Sequence, residues 1–406
     1  MLFYLQAKYI AFYAAVLVPS LIIQYFNTAS FAQKAKESLI LLSSLFFLHF
    51  FLAVSFAHLS ILMGLAISLF FTSKKGRSKI YLILSLVVLV LIFLFSKTIK
   101  TSSLQGHHHF FNVLGISYII LKFVHYLIDS KAGVIKEKSF LIFINFIFFF
   151  PTFIAGPIFR YQDFYEELST TKKKDEIFSL IISGVKRIII GMFKLIVVSK
   201  FTAPFAFFNL GPAFLLHSSF WGQVLYANIG MLNLYFNFAG YSDLAIGIGA
   251  ILGIKVPENF NYPLLVRNLQ DFWKHWHITL SNWMKNYIFF PFYKWLLEIN
   301  NQKLSLNFIS SLSLFLTFFL MGIFNGIGIN YFLHGLSLAS GVVVVFLWGN
   351  FLKKRNILKK YLAIKPIKLI ATIMTINYFS FCVLFFDANT PEKLQLLFKI
   401  FKSYAE

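Results

Sequence analysis

The sequence has little charge. Only 13% of its 406 residues are charged, whereas 58% are hydrophobic. A soluble domain carries about a quarter charged residues, so this chain has too few to cover a surface that faces water. Apolar runs near the roughly 20 residues that cross a bilayer recur along its length. The composition therefore excludes an ordinary soluble domain and predicts an integral membrane protein.

Acidic residues are scarcer still, with 15 Asp and Glu against 37 Lys and Arg, for a net charge of +22. A basic chain can bind nucleic acid, but here the basic residues lie in short clusters between apolar runs, as at 172–174 and 353–355. Short basic loops are retained on the cytoplasmic side of a membrane and attract anionic lipid. We therefore expect a membrane lipid partner and no nucleic acid.

Cysteine, which forms disulfides and binds many metals, occurs once in the sequence. The only cysteine, Cys382, lies in an apolar run, which excludes a disulfide within the chain and predicts a packed or lipid-facing thiol. Three consecutive histidines at 107–109 would point apart on a helix. We interpret them as a solvated or interfacial loop, with a transition-metal site as the alternative. We therefore expect no metal site and no bound cofactor.

The apolar pattern predicts an all-α, polytopic fold, because a lipid-exposed backbone must satisfy its own hydrogen bonds. We expect about 11 transmembrane helices plus re-entrant or interfacial helices, with the first run a retained signal anchor and residues 394–404 an interfacial helix. The lack of an internal repeat disfavours the common transporter folds. The apolar segments fall at roughly 9–26, 38–57, 59–72, 80–96, 110–128, 139–158, 178–198, 203–216, 219–239, 241–254, 307–324, 329–349 and 366–386.

A carboxylate interrupts one of these apolar stretches. Asn237 and Asp243 lie within residues 235–249, and a charge at membrane depth is costly unless it has a partner or a wet cavity. Asp243 is therefore a functional candidate. The alternative is that residues 240–242 break the helix, so that Asp243 caps a new helix beside an inner cavity. Gly247 favours close packing against another helix.

Residues from about 255 to 295 form a region that is polar, aromatic and basic at once. The helical spacing i, i+3, i+4, i+7 is met by Trp273, Trp276, His277 and Leu280. This spacing predicts a helix that places His277 on an aromatic stripe. A plain interfacial helix also carries Trp and His, since amphipathic rings favour the headgroup zone. The spacing alone leaves both interpretations open.

A second polar anomaly lies at 322–335, where Asn325, Asn330 and His334 interrupt an apolar run of spanning length. A lone histidine in such a run is usually a hydrogen-bonded core residue. Its near-neutral pKa nevertheless makes histidine the side chain best suited to general-base catalysis. His334 is therefore a catalytic candidate, with a core residue as the alternative.

Three motifs of this chain resemble motifs of a known family, and they occur in the same order and with the same spacing. They are FPTFIAGPIFRYQDF (150–164), YFNFAGYSDLAIG (235–247) with PENFN (257–261), and DFWKHWHITLSNW (271–283), in which Thr279 stands where serine is usual; GISYIILKFVHYLID (115–129) is a weaker fourth match. The chain resembles the membrane-bound O-acyltransferases, in the branch of the D-alanyl-lipoteichoic acid transfer protein and alginate O-acetylase. The resemblance covers about residues 110–350.

The resemblance implies a ring of helices around a central tunnel, in one membrane domain over residues 1–406. Residues 1–109 would form N-terminal spans, 110–350 the family core, and 351–406 a C-terminal span and an interfacial helix. It also implies a multi-pass protein of the bacterial cytoplasmic (inner) membrane. This enzyme would move a D-alanyl or acetyl group from a cytosolic thioester donor to hydroxyls of an envelope polymer or lipid-linked glycan.

In the D-alanyl branch the donor is a thioester on the phosphopantetheine arm of a small acidic carrier protein, and a chain of net charge +22 suits that partner on its cytosolic face. His277 matches one of the two functional polar positions of the family. The substrate-binding candidates in the matched motifs are Asn237, Asp243, Asn259, Asn261, Asp271, Trp273 and Trp276.

The chain departs from the family at the second functional position. The family ends this region with a GLWHG-like motif whose histidine is taken as catalytic, and here Asn325 occupies that place. Asparagine cannot take a proton at neutral pH and can only orient or polarise a partner. Three interpretations follow: His277 is the base with Asn325 as its orienter, His334 is recruited through a helix break at residues 326–328, or the chain is a non-catalytic protein that binds or passes an acyl or lipid carrier.

Overall fold

The computed structural model describes residues 12, 15–22, 30–52, 54, 56–74, 79–101, 115–300, 303–355 and 364–404. Within these ranges the chain is helical apart from its loops and an isolated antiparallel bridge between Phe260 and Trp276. The all-α prediction is confirmed to this extent. Half of the first apolar run and all of the histidine run 107–109 lie outside the described residues.

Two compact units make up the chain. The first comprises Met1–Phe193 with Gly240–Glu258, and the second comprises Lys194–Ala239 with Asn259–Glu406. The helices of the first unit are α1 (Ser30–Phe50), α2 (Phe56–Lys74), α3 (Lys79–Thr101), α4 (Ile116–Lys131), α5 (Phe140–Phe148), α6 (Tyr161–Ser169) and α7 (Lys174–Met192), with a 3₁₀ turn at Phe150–Thr152. A π-helical stretch, Phe193–Ser199, and a short α-helical turn, Lys200–Thr202, follow α7.

The second unit carries the remaining helices. They are α8 (Pro212–His217), α9 (Phe220–Ile251), α10 (Leu269–Phe272), α11 (Ile278–Met284), α12 (Phe290–Ile299), α13 (Leu306–Ile323), α14 (Ile329–Lys354), α15 (Lys365–Asp387) and α16 (Pro391–Ser403), of which α9 continues into the first unit from Gly240. Short 3₁₀ turns lie at Ala203–Phe205, Phe207–Asn209 and Pro263–Leu265, and a π-helical stretch at Lys285–Phe289. The predicted C-terminal helix is confirmed as α16, and Cys382 is fully buried as a packed thiol.

The predicted break of the helix at residues 240–242 is wrong, because α9 runs unbroken through this sequence. The glycines serve close helix packing instead. A Cβ on Gly191 of α7 would lie 2.7 Å from the carbonyl oxygen of Gly240, and a Cβ on Gly247 would lie 2.6 Å from that of Gly184. The backbones of α7 and α9 therefore approach closely, as predicted for Gly247.

Four described helices are long and apolar enough to cross a membrane. They are Lys79–Lys97, Leu306–Ile323, Ile329–Lys354 and Lys365–Asp387, and Leu59–Ser73 and Phe140–Thr152 are shorter apolar segments. The segment predicted at 139–158 is shorter than expected, since α5 ends at Phe148, close before Pro151. Proline lacks the N–H that would continue the helix. The count of about 11 spans stays a prediction.

Candidate functional site

The segment around His277 is not the continuous helix that its spacing predicted. The four-residue helix α10 ends at Phe272, and α11 begins at Ile278. Between them His277 has the left-handed backbone angles φ 44° and ψ 51°. A non-glycine residue adopts these angles only where its surroundings enforce them. The turn, rather than helical periodicity, therefore sets the direction of the His277 side chain.

A buried asparagine holds this turn in place. Asn259, from the PENFN motif, is fully buried, and its backbone oxygen accepts a hydrogen bond from the Ile278 N–H at 2.9 Å. Its side-chain Oδ1 accepts a further bond from the Thr279 hydroxyl at 2.9 Å. Both bonds reach the first residues after His277. Asn259, predicted as a substrate-binding residue, thus fixes the backbone beside the histidine.

His277 itself packs into an apolar environment. Its ring meets the ring of Phe238 edge to face, with the centroids 4.7 Å apart. Burial lowers the pKa of His277 to about 3, so its imidazole is neutral at pH 7. A neutral imidazole can accept a proton from a hydroxyl. The ring is therefore unprotonated and can accept a proton, while a pKa this far below 7 makes it a weaker base than a free histidine.

An aromatic cluster adjoins this turn, as the sequence predicted. Trp276 stacks on Phe272 with centroids 5.4 Å apart and meets Phe379 of α15 at 4.9 Å. Trp273 contacts Phe318 of α13 at 5.2 Å. The Nε1–H of Trp273 is buried and has no hydrogen-bond partner among the residues that the structure describes. The cluster anchors the segment and leaves one donor for a ligand.

Two other candidates in this segment have structural contacts. Asp271 accepts hydrogen bonds from Asn268 at 2.8 Å and from Lys274 at 2.7 Å, at the start of α10. Asn261 is exposed, and its backbone N–H donates to the His275 carbonyl oxygen at 2.9 Å. Both residues stabilise the loop that leads to His277. Their predicted role in binding substrate stays a prediction.

His334 lies in a regular part of α14. It is buried, and its Nδ1 is 2.8 Å from the carbonyl oxygen of Cys382 on α15. Because a carbonyl only accepts, Nδ1 carries the proton and donates it. A Cβ on Gly322 of α13 would lie 2.2 Å from the Cα of Gly335, so α13 and α14 approach closely beside this histidine. These contacts are those of the core residue that the sequence offered as the alternative.

The helix break that the recruitment of His334 requires is present. The helix α13 ends at Ile323, and α14 begins at Ile329, after the two glycines Gly326 and Gly328. Asn325 lies in this turn, is exposed, and donates through Nδ2 to the carbonyl oxygens of Met321 at 3.3 Å and Gly322 at 3.4 Å. Its amide thus caps the end of α13.

Asp243 has the partner that its burial requires. Its Oδ1 lies 2.8 Å from a guanidinium nitrogen of Arg187 on α7, and Arg187 also pairs with Glu258. Both contacts lie within the first unit, where the carboxylate is buried. Asn237 lies half-buried on the part of α9 that belongs to the second unit. An ion pair therefore compensates the buried charge.

Sequence reasoning missed three kinds of residue here. Arg187 was not singled out, although a basic residue in an apolar segment is the partner expected for a buried carboxylate. Phe238 lies inside one of the matched motifs, but nothing in the sequence assigned it a role. Lys122 and His125, in the weaker fourth motif, are buried in the first unit: Lys122 Nζ donates to the Phe146 carbonyl oxygen at 2.8 Å, and His125 Nε2 accepts from the Tyr161 N–H at 2.9 Å.

Comparison with known proteins gives a consistent result. The profile of MBOAT, the membrane-bound O-acyltransferase family, matches residues 26–386. The chain is 36% identical over 258 residues to a teichoic acid D-alanyltransferase of Bacillus subtilis (strain 168), a match that covers 63% of this chain and 62% of that protein. It therefore spans less than two thirds of that relative's length.

Two relatives carry other names. A peptidoglycan O-acetyltransferase of Helicobacter pylori is 28% identical over 394 residues, which covers 87% of this chain and 71% of that protein. A probable alginate O-acetylase, AlgI, of Pseudomonas putida is 32% identical over 232 residues, which covers 56% of this chain and 45% of that protein. All three names describe acyl transfer to a polymer of the cell envelope.

Proposed function

Because the chain belongs to the membrane-bound O-acyltransferase family, we propose that it transfers a small acyl group to hydroxyls of a bacterial cell-envelope polymer. The observation that carries this proposal is the geometry at His277, a buried and neutral imidazole on an enforced left-handed turn. The similarity to a teichoic acid D-alanyltransferase favours D-alanyl over acetyl as the group transferred. The proposed location is the bacterial cytoplasmic membrane.

The chemistry asks for three things from the protein: it must place a hydroxyl beside a thioester, exclude water, and remove the hydroxyl proton during attack. In the proposed step, His277 takes the proton as the acceptor oxygen bonds to the thioester carbonyl carbon. The C–S bond then breaks, the ester is formed, and the proton passes to the departing thiolate. The turn held by Asn259 keeps the imidazole in position throughout.

We assign substrate contacts to the residues next to this turn. The buried Nε1–H of Trp273 is a donor for a substrate oxygen, and Trp276 supplies apolar packing. Asn237, Asn261 and Asp271 stay candidates for acceptor binding. In the interpretation that uses Asn325, its side-chain amide orients the base or the acceptor instead of transferring a proton.

The donor that we propose is a thioester on the phosphopantetheine arm of a small acidic carrier protein at the cytosolic face. The net charge of +22 supports association with an acidic partner. Donor and acceptor would meet in the tunnel that the family resemblance implies, with an envelope polymer or lipid-linked glycan entering from outside.

A second function is favoured by one observation. Asn325 replaces the histidine of the family motif, and its amide caps the end of α13. The alternative is a non-catalytic protein of the same fold that binds or passes an acyl or lipid carrier. This alternative needs no base at either histidine.

The test is the amount of base-labile ester on envelope polymers of a deletion strain that is complemented with variants of this chain. We expect wild type to restore ester, and His277→Asn to abolish it at equal protein level. The acid released by mild base identifies D-alanine or acetate. If wild type restores nothing while Asn325→His does, the chain has kept the fold and lost the chemistry, and the non-catalytic function holds.

A further inference from the structure

A half-open cavity lies in the second unit, and no residue of the segment that carries His277 lines it. It encloses about 200 Å³ between the start of α9, the later part of α15 and the end of α16. Pockets that enclose whole small-molecule ligands measure about 300–1,000 Å³. A cavity of this size and openness suits a part of a larger molecule, whose remainder lies outside.

The walls of this cavity are apolar and aromatic. Ala227, Phe381 and Leu384 line it, together with Phe401 of α16 and Tyr404, which directly follows α16. Three polar residues in its lining bond to one another: Asn228 Nδ2 donates to Asn377 Oδ1 at 2.8 Å, and the Ser380 hydroxyl donates to Asn228 Oδ1 at 2.9 Å. A fourth, Gln223, donates through Nε2 to the Leu215 carbonyl oxygen at 2.8 Å. The lining therefore offers an occupant apolar contact rather than hydrogen bonds.

Residues from successive helical turns line the cavity. Its lining extends along α9 from Phe220 to Asn228, a rise of about 12 Å at 1.5 Å per residue. It also extends along α15 from Asn377 to Leu384, and α15 is long and apolar enough to span the membrane. A slot whose lining extends along a spanning helix suits a lipid acyl chain, which takes a similar direction in a bilayer.

The end of the slot at Phe220 and Tyr404, which we take as its mouth, has the composition of a membrane interface. The two rings meet at 5.5 Å, and Trp221, next to Phe220 in the chain, is 76% exposed. Exposed Trp and Tyr side chains are enriched at the headgroup level of membranes. This end of the slot therefore suits the region where the chain of a lipid meets its headgroup.

The helix α16 adds positive charge beside the same mouth. It buries Leu397 and Ile400, while Lys399 and Lys402, one turn apart, are exposed. Its sequence holds three lysines against the single acid Glu392. A basic amphipathic helix next to an apolar slot complements a molecule with a hydrocarbon chain and an anionic head.

From the slot, its aromatic mouth and these lysines, we propose that the cavity binds one acyl chain of an anionic membrane lipid, whose headgroup contacts Lys399 and Lys402. The site is separate from the proposed transfer reaction, and it can be tested whether or not the chain is an enzyme. It would hold α16 against the ends of α9 and α15 when occupied.

The test uses the purified full chain in nanodiscs of phosphatidylcholine, with a trace of phosphatidylglycerol that carries a photoreactive diazirine in one acyl chain. Adducts are mapped by mass spectrometry after irradiation. We expect labelling at Phe381 and Phe401, stronger than with the matched phosphatidylcholine probe. Equal labelling by the two probes would show that the site does not prefer an anionic lipid headgroup, which contradicts that part of the proposal.

Two pairs of variants complete the design. Ala227→Trp fills the slot and should lower labelling at Phe381 by about tenfold or more, whereas Leu225→Trp, on an exposed position of the same helix, should leave it unchanged. Lys399→Gln with Lys402→Gln should reduce phosphatidylglycerol labelling to the phosphatidylcholine level. The matched control for this lysine pair is Lys365→Gln with Lys368→Gln, at the start of α15. It removes the same charge and should leave phosphatidylglycerol labelling unchanged.

Should Ala227→Trp fail to fold, the lysine pair carries the test. Labelling that survives in a folded Ala227→Trp variant would overturn the slot as the binding site. A further variant carries the photoreactive residue benzoylphenylalanine in place of Phe381. If irradiation crosslinks two copies of the chain rather than the chain to lipid, the face serves self-association and the proposal of a lipid site is wrong.

Discussion

Two histidines of the second unit, His277 and His334, show how differently one residue type can be held. His277 lies between two short helices with a left-handed backbone, and it packs against the ring of Phe238. His334 lies inside the regular helix α14, and its Nδ1–H bonds to the Cys382 carbonyl oxygen. Both are buried. The first is positioned by an enforced turn, and the second is bonded into helix packing.

This difference bears on which histidine can do chemistry. Enforced backbone conformations persist only where surrounding contacts hold them, and they occur often at functional sites. The Asn259 contacts supply that support at His277. A histidine that donates a hydrogen bond from its ring N–H to a neighbouring helix stabilises the packing of the two helices. We therefore propose that His277 is the catalytic base and that His334 serves helix packing.

The largest effect is expected for His277→Asn. Asparagine tolerates the left-handed backbone but cannot take a proton, so the fold should remain while ester formation falls by about 10²–10⁴-fold. Polymer-linked ester per unit of membrane protein is the measurement, with His334→Gln as the matched histidine substitution. If His334→Gln loses as much activity as His277→Asn at equal folded protein, the assignment of roles is reversed.

The support beneath His277 can be tested through Thr279. Thr279→Val removes the hydroxyl that donates a hydrogen bond to Asn259 Oδ1 and leaves this buried acceptor poorly satisfied. The free energy of unfolding should fall by about 1–3 kcal/mol. Thr279→Ser, the residue usual in the family, keeps the donor and is the control. The free energy of unfolding in detergent micelles measures both. Equal stability of the two variants would show that this hydrogen bond does not hold the turn.

A smaller loss of stability is expected at the other histidine. His334→Phe removes the bond to the Cys382 carbonyl while keeping an aromatic ring, and should cost about 0.5–1.5 kcal/mol. Ester formation should follow the amount of folded protein. Denaturant titration in micelles, paired with the ester assay, separates the two quantities. Activity that disappears while the free energy of unfolding stays at the wild-type value would contradict a packing role.

The smallest effect should come from Asn325→Ala. The side chain is exposed, and its two bonds to carbonyl oxygens of α13 are long, at 3.3 and 3.4 Å. Surface substitutions of this kind usually change stability by less than about 0.5 kcal/mol. The same titration measures it. If ester formation nevertheless falls sharply, Asn325 acts as the orienter of the base rather than as a helix cap.

Local patterns predicted some elements well. The apolar runs at 307–324, 329–349 and 366–386 correspond closely to α13, α14 and α15, because a long apolar segment without a proline in its interior leaves few alternatives to a helix. The single proline of these runs, Pro366, lies in the first turn of α15, where proline is tolerated. The motifs also led to the family. The spacing of Trp273, Trp276 and His277 failed, since side-chain periodicity cannot reveal that Asn259, some twenty residues earlier, bonds to the next turn and holds it left-handed.

The sequence by itself determined the membrane class, the family and the residues that carry polar groups into apolar segments, since composition and motif order are local properties. Only the tertiary structure decided what each of those groups does. Arg187 compensates Asp243, Asn259 fixes the backbone at His277, and His334 bonds to another helix. Each of these contacts joins residues far apart in the chain, and such pairs become neighbours only when the helices pack.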